Sequence, residues 1–191
     1  MVLRELYGGA LQAELPECFV DVSKVREVPD HQEVFTDVDT DQCMIVELLS
    51  MAADVGQGED AVLTFHHREL ARNNDAAGPG QCKVVSTRRL GPEDVPCIPQ
   101  EAISYGGVLL SKQMVAKFRE QARNEVEVYL AVLRLPTVTT DLLVSLSRPV
   151  HVDSNSSSHE TMRAGALGPE PMQTFTTLLR TLKINNWGLF M

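Results

Sequence analysis

The chain has 191 residues, of which 43% are hydrophobic and 23% are charged, with a net charge of -9. This length and composition are typical of one globular domain, so we expect residues 1–191 to form a single domain. The negative charge disfavours nucleic acid as a partner, and no stretch approaches the roughly 20 apolar residues of a membrane helix.

Three short elements are predicted in the N-terminal part of the chain. The pair Gly8-Gly9 predicts a turn before a strand at 11–15. Asp21 is suited to capping a brief helical turn that follows it. At 32–36, polar and apolar residues alternate, which predicts a strand.

The segment 43–51 is compatible with two structures. As a helix it would place Glu47 and Ser50 on one face, opposite its apolar residues. The run Met44-Ile45-Val46 favours a buried strand instead, and periodicity alone does not decide between them. We favour the strand.

A helix is predicted over 58–74. Glu59 and Asp60 in its first turn and Arg72 near its end suit the helix dipole. Strands are predicted next, over 82–90 and 107–117.

The C-terminal half predicts a hairpin, a loop and a helix. The hairpin spans 126–148, and its first strand is apolar on both faces. The polar, serine-rich segment 152–171 is predicted to be a mobile loop. Met172, Phe175 and Leu179 recur at helical spacing and predict an amphipathic helix. Together the elements predict an α+β fold, in which helices flank both faces of an antiparallel sheet of about six strands.

Negative charge is concentrated in one stretch. Residues 27–60 contain no Lys or Arg, whereas 61–191 contain twelve acidic and fourteen basic residues. The ten acids of the stretch are Glu27, Asp30, Glu33, Asp37, Asp39, Asp41, Glu47, Asp54, Glu59 and Asp60. On one contiguous face they would attract a basic partner; the alternative is that they only keep the protein soluble.

No catalytic or metal site is predicted. His66 and His67 are adjacent on the predicted helix and point about 100° apart, so they do not easily share one metal; we expect one to be partly buried and the other exposed. The serines of 154–158 and the nearby His159 lack a nucleophile elbow. No glycine run fits a nucleotide-binding motif, and no cofactor is expected.

The cysteines and the N-terminus indicate a reducing compartment. The four cysteines are widely spaced without a C-x-x-C pair, which predicts neither disulfides nor zinc. Arg4 and Glu5 interrupt the apolar run that a secretory signal needs, so we expect the protein in the cytoplasm or nucleus.

Several blocks of sequence occur in a recognisable order. They are Leu6-Tyr-Gly-Gly-Ala10, Arg26-Glu-Val-Pro-Asp-His-Gln-Glu-Val-Phe35, Thr40-Asp-Gln-Cys-Met-Ile-Val-Glu-Leu-Leu49, Leu133-Arg-Leu-Pro136 and Thr140-Asp-Leu-Leu143. They are distributed over residues 6–149 and resemble the Ran guanine nucleotide release factor family.

This resemblance implies a fold and a function. The implied fold is an antiparallel sheet flanked by helices, akin to the photosystem protein PsbP, with 44–49 in a strand. The implied function is to bind the small GTPase Ran, promote release of its guanine nucleotide and support nuclear protein import. Such a protein would act without catalysis, in the nucleus and cytoplasm, and we expect a monomer. The alternative is a structural or ligand-binding module of the same fold with no GTPase partner.

The resemblance also implies a partner-binding set. Asp30 and Glu33 match acidic residues of the family's second block, and Glu47 matches the acid of its I-V-[DE]-L-L run. With Asp41 they are predicted to meet basic residues of Ran near its nucleotide pocket and so weaken its hold on the nucleotide. Neighbouring Arg26 and Glu27 complete the predicted set. Ser50 stands where family members often carry a second acid.

Overall fold

The computed structural model describes residues 1–116, 122–156, 159 and 168–190. Its strands are β1 (Val2–Leu6), β2 (Leu11–Leu15), β3 (Val20–Asp21), β4 (Gln32–Asp37), β5 (Gln42–Ser50), β6 (Cys82–Arg89), β7 (Tyr105–Ala116), β8 (Arg123–Leu135), β9 (Thr140–His151) and β10 (Lys183–Ile184). Its α-helices are α1 (Ala61–Asn73) and α2 (Pro171–Thr181).

The strands form two antiparallel sheets. Seven of them lie in the order β3-β4-β5-β9-β8-β7-β6, and the other three lie in the order β1-β2-β10. The predicted α+β class with an antiparallel sheet is therefore confirmed. The large sheet has seven strands rather than about six, because the two-residue β3 pairs with β4 at one edge.

The central strand β8 shows why both faces of the large sheet are covered. Tyr129, Ala131 and Leu133 pack into the main core with α2, whereas Leu130 and Val132 pack on the opposite face with α1. Side chains of a strand alternate between the two faces of a sheet, so this apolar run must be buried on both. The helices flank the sheet on both faces, as predicted.

The main core lies between the large sheet and a layer made of α2 and the three-stranded sheet. Phe175 and Leu178 of α2 and Leu11 of β2 are all buried there. The start of α2 is fixed by Pro171 in its first turn and by the Glu170 carboxylate, which accepts hydrogen bonds from the backbone N–H groups of Met172 and Gln173.

Several predicted boundaries need correction. The segment 43–51 is a strand, as favoured, and the helical alternative is wrong. Helix α1 begins at Ala61, so Glu59 and Asp60 precede its first turn instead of occupying it, whereas Arg72 does lie in the last turn. Strands β1 and β10 were not predicted. Half of the predicted mobile loop at 152–171 lies outside the described residues, namely 157, 158 and 160–167.

Candidate partner-binding surface

The β4–β5 hairpin carries the predicted acidic set at its two ends. At the open end, Gln32 lies opposite Glu47 and Glu33 lies opposite Val46. At the closed end, Asp41 adopts a left-handed backbone conformation with a φ of 57°. Asp41 is six positions from Glu47 along the strand, which corresponds to about 20 Å.

Glu33 and Glu47 point to opposite faces of the sheet. Glu33 shares the face of Val46, which packs in the main core beneath the three-stranded sheet. Glu47 follows Val46 and therefore points to the α1 face. Both carboxylates are nevertheless near Tyr7: Glu33 accepts a hydrogen bond from its backbone N–H, and Glu47 follows Val46, whose carbonyl contacts the Tyr7 hydroxyl.

Tyr7 connects the N-terminal hairpin to this end of β4 and β5. Its backbone N–H donates a hydrogen bond of 2.5 Å to Oε1 of Glu33. Its hydroxyl lies 2.9 Å from each of the carbonyl oxygens of His31 and Val46, which share its single hydrogen. Burial raises the pKa of the Tyr7 hydroxyl, and the negative charges of Glu33 and Glu47 raise it further. We call Tyr7, His31, Gln32, Glu33 and Glu47 the Tyr7 cluster.

The backbone at Tyr7 is unusual. Tyr7, Gly8 and Gly9 all have positive φ angles, of 49°, 62° and 89°. This left-handed conformation costs little at glycine and more at tyrosine. The Gly8-Gly9 pair therefore lets the chain turn tightly between β1 and β2 and presents the Tyr7 N–H to Glu33.

Glu33 acts within the fold as well as on its surface. Burial raises the pKa of its carboxyl group, the hydrogen bond from the Tyr7 N–H opposes this, and the nearby charge of Asp21 adds to the rise. This carboxylate accordingly holds the turn at Tyr7 in place, and only part of the side chain is open to solvent.

Glu47 lies at the mouth of a polar cleft between α1 and the sheet. Its Oε1 accepts a hydrogen bond of 2.7 Å from Nε2 of Gln32 and lies 3.4 Å from Nε2 of His31. The cleft has a volume of about 280 Å³ and is also lined by Glu69, Asn73 and Ser145. With 22% of its side chain exposed, Glu47 is oriented by its neighbours and remains accessible.

The remaining members of the predicted set are less concentrated. Asp30 is exposed next to the Tyr7 cluster, and Glu27 is exposed in the preceding segment. Arg26 and Asp41 are both close enough to Cys43 to affect the pKa of its thiol. Burial raises this pKa to about 11, the negative charge of Asp41 raises it further, and the positive charge of Arg26 lowers it. Asp30, Glu33 and Glu47 thus lie at the open end of the hairpin, whereas Asp41 and Arg26 lie towards the closed end.

The ten acids of 27–60 do not all share one face. The Asp37 carboxylate is buried and accepts hydrogen bonds from the Asp39 N–H and the Thr40 hydroxyl inside the β4–β5 turn. Asp60 accepts a hydrogen bond from the Tyr105 hydroxyl on β7, which lies four strands away from β4. The acidic surface is therefore smaller than the sequence stretch.

The two adjacent histidines are both buried, which corrects the expectation that one of them is exposed. His66 is 3% exposed and His67 is 6% exposed. Nε2 of His66 lies 2.8 Å from Oδ2 of Asp141, and Nε2 of His67 lies 3.5 Å from Sγ of Cys82. Burial lowers the pKa of His67, which favours its neutral form.

Asp141 is the centre of a buried ionic network. It is fully buried and accepts hydrogen bonds of 2.8 and 2.9 Å from the Arg134 guanidinium and one of 3.1 Å from the Ala52 N–H. Burial alone would raise the pKa of Asp141, but the bonds from Arg134, His66 and Ala52 outweigh it and lower the pKa to about 2. The charged residues of Leu133-Arg-Leu-Pro136 and Thr140-Asp-Leu-Leu143 thus pair with each other inside the protein.

Within the described ranges, no group of three or more His, Cys, Asp or Glu residues could hold a metal ion. Likewise, none of the described helices is both long and apolar enough to cross a membrane.

Comparison with known proteins identifies the family. The model of a family described as Ran-interacting Mog1 protein matches residues 4–149. The chain belongs to the Mog1 family. The matched range runs from β1 through most of β9, so it includes the whole Tyr7 cluster and excludes α2 and β10.

Relatives of known name align over most of this Mog1-family chain. The Ran guanine nucleotide release factor of Danio rerio is 35% identical over 189 residues, covering 98% of each chain. The protein of the same name in Homo sapiens is 35% identical over 191 residues, covering 97% of this chain and 94% of its own. The nuclear import protein mog1 of Schizosaccharomyces pombe is 30% identical over 149 residues, covering 76% of each chain.

A solved structure supports the fold. The Saccharomyces cerevisiae Ran-binding protein Mog1p superimposes with a TM-score of 0.70 over 100% of this chain and 98% of its own, at 22% identity. At that identity the similarity establishes the Mog1 fold.

Sequence reasoning found Glu33 and Glu47 but missed Tyr7 and Gln32 as members of the same cluster. The available signal was Tyr7 itself, an aromatic residue directly before Gly8-Gly9 in the first family block. Its contacts depend on how β1 and β2 pack against β4 and β5, and a local pattern does not encode that packing.

Proposed function

We propose that this protein binds the GTPase Ran through the open end of the β4–β5 hairpin and promotes release of its guanine nucleotide, in support of nuclear protein import. The observation that carries the proposal is the convergence of Glu33 and Glu47 on Tyr7, with exposed Asp30 beside them. All of these residues lie within the range that matches the family model.

Glu47 is the proposed principal contact. Gln32 and His31 orient its carboxylate at the mouth of the cleft, so little side-chain entropy is lost when a partner's lysine or arginine pairs with it. Such a contact contributes about 1–3 kcal/mol when it is desolvated, and less at the rim of an interface. Asp30, Glu33, Asp41, Arg26 and Glu27 form the proposed surroundings, with Asp41 at the far end.

The proposed action requires a difference in affinity. A factor that binds loaded and empty Ran equally well shifts nothing, so the acidic surface must bind nucleotide-free Ran more tightly. Carboxylates that pair with cations otherwise engaged with phosphate or magnesium would produce this difference. No covalent chemistry is needed, so the proposed protein is not an enzyme. It acts as a single-domain monomer in the nucleus and cytoplasm.

The test is charge reversal of the principal contact. Glu47→Lys should weaken binding to nucleotide-free Ran by more than tenfold and should slow the release of fluorescent GDP or GTP from loaded Ran. The matched control is Glu93→Lys, which changes the net charge equally at an exposed position outside the Tyr7 cluster. Melting temperatures of both variants verify that they are folded.

Two outcomes would reject the proposal. Equal Ran binding by Glu47→Lys and Glu93→Lys would remove Glu47 from the interface. A wild-type protein that neither binds Ran nor accelerates nucleotide release would favour the alternative, a module of the same fold with no GTPase partner.

A further inference from the structure

Strand β6 forms an open edge of the large sheet, opposite the edge formed by β3. Among the described residues it pairs with β7 alone, and every β6 residue except Cys82 is exposed. An edge strand presents unpaired backbone N–H and C=O groups that can pair with an added strand. Val84 and Val85 on this edge are 46% and 51% exposed.

The charge of β6 is opposite to that of the protein as a whole. The strand contains Lys83, Arg88 and Arg89 and no acidic residue, whereas the whole chain has a net charge of -9. Arg88 is held by two hydrogen bonds to Asp94, of 2.7 and 2.9 Å. The Arg89 guanidinium stacks 4.1 Å from the centre of the Tyr105 ring on the other face.

A mostly apolar pocket of about 130 Å³ lies directly beside this edge. Its lining includes Ser86 and Arg88 of β6, Leu110 of β7, Tyr129 of β8, and Phe175 and Leu179 of α2. Tyr129 is 7% exposed and forms part of the pocket wall. Ser86 lies opposite Leu110 and is small, so the pocket can be reached from the β6 edge.

We propose that β6 is a docking edge for an extended acidic segment of a second protein. The segment adds a strand to the sheet by pairing with β6. One of its acidic side chains meets Lys83 on the pocket face of the sheet, and another meets Arg89 on the opposite face. One long apolar side chain passes over Ser86 into the pocket. Exposed backbone groups give the affinity in this mode of recognition, and the pocket gives the specificity.

A second copy of this chain is a poor occupant of the same edge. Two β6 strands side by side would place basic residues of one copy against those of the other, which is unfavourable for pairing. The register also shifts between Val84 and Ser86, leaving Val85 as a bulge. Bulges and charges on an edge discourage pairing between identical copies, whereas an acidic segment gains from the same charges.

This surface is separate from the proposed Ran surface. Strands β5, β9, β8 and β7 lie between β4 and β6, which places β4 and β6 about 24 Å apart at the usual strand spacing. Ran and the proposed segment would therefore contact different strands of the large sheet.

The experiment uses the full chain and short capped peptides of valine and glutamate with a central leucine, in which glutamates occur on both faces of the strand so that one can lie opposite Lys83 and another opposite Arg89. The acidic peptide should shift the backbone amide signals of β6 and of residues around Tyr129 and Phe175 in an NMR titration. A peptide with lysine in place of glutamate should bind about tenfold more weakly. Replacing the central leucine by alanine should also cost about tenfold.

A charge swap in the protein sharpens the test. Lys83→Glu combined with Arg89→Glu should reverse the preference in favour of the lysine peptide. The matched control, Lys24→Glu combined with Lys183→Glu, changes the net charge equally at exposed positions away from β6 and should keep the preference for the acidic peptide.

Three results would overturn the proposal: equal binding of the acidic and lysine peptides to the wild-type protein, no loss with the alanine peptide, or amide shifts that leave β6 unaffected. These peptide measurements on the wild-type protein decide the question even if the charge-swapped variant fails to fold. Competition between the acidic peptide and Ran would contradict the separation of the two surfaces.

Discussion

Replacing Asp141 by asparagine should strongly destabilise the protein. Asp141 is fully buried and is the anionic partner of Arg134 and His66. Asparagine keeps the shape of the side chain but removes its charge, so the guanidinium is left in the interior without a counter-ion. Breaking one half of a buried ion pair in this way typically costs about 3–5 kcal/mol.

The pKa of Asp141 gives an independent magnitude. It is lowered from 3.8 to about 2, and at about 1.4 kcal/mol per pKa unit this corresponds to roughly 2–3 kcal/mol of native-state stability. A carboxyl group with a lowered folded-state pKa stabilises the protein fully above its unfolded pKa. This contribution is lost as the pH falls from 3.8 towards 2.

Thermal unfolding followed by circular dichroism tests both statements. At pH 7 the melting temperature of Asp141→Asn should lie about 10 °C below that of the wild type. The difference between the two proteins should shrink as the pH approaches 2. Glu125→Gln is the control, because the Lys112–Glu125 pair lies on the surface, and its melting temperature should not change. An unchanged melting temperature for Asp141→Asn, or a difference that stays constant down to pH 2, would refute the reasoning.

Three further predictions concern Tyr7, the main core and the cysteines. Tyr7→Phe removes the hydroxyl that contacts the carbonyl oxygens of His31 and Val46. It should lower the free energy of unfolding, measured in urea, by about 1–2 kcal/mol. An unchanged free energy would mean that water replaces the hydroxyl. Leu178→Ala creates a cavity in the main core, where Leu178 is fully buried. It should lower the free energy of unfolding by about 2–5 kcal/mol at an unchanged m-value. A loss below about 1 kcal/mol would show that neighbouring side chains move in to fill the cavity. Burial raises the pKa of Cys43 to about 11, so at pH 8 a maleimide should modify the exposed Cys97 well before Cys43. Mass spectrometry of the labelled peptides measures the order of modification, and earlier labelling of Cys43 would contradict the prediction.

Local sequence patterns predicted the elements of the large sheet well. The alternation in β4 and the apolar run in β8 reflect burial on one face and on both faces, and burial is what determines such patterns. Strand β5 was ambiguous from its periodicity alone, because Glu47 and Ser50 also fit a helix. The two-residue β10 is too short to carry a periodic signal and exists only because it pairs with β2.

The candidate surface was predicted in part. Charge counting indicated the stretch 27–60, but it does not reveal that Asp37 is buried in a turn or that Asp60 points to β7. The strand register places Glu33 and Glu47 on opposite faces of their hairpin. They belong to one cluster only because Tyr7 packs next to both. Packing between segments that are distant in sequence decides which charges are close in space. A pattern within one segment contains no information about that packing.

The three-stranded sheet joins residues from both ends of the chain. Strand β10 pairs with Leu11 and Gln12, and the Asn185 N–H donates a hydrogen bond to the Ala10 carbonyl. During synthesis, the strands of the large sheet are complete at His151, yet Tyr129, Leu133 and Leu146 still await the cover that α2 supplies. A nascent chain therefore exposes one apolar face until α2 has left the ribosome, and it depends until then on chaperones or rapid synthesis to avoid aggregation.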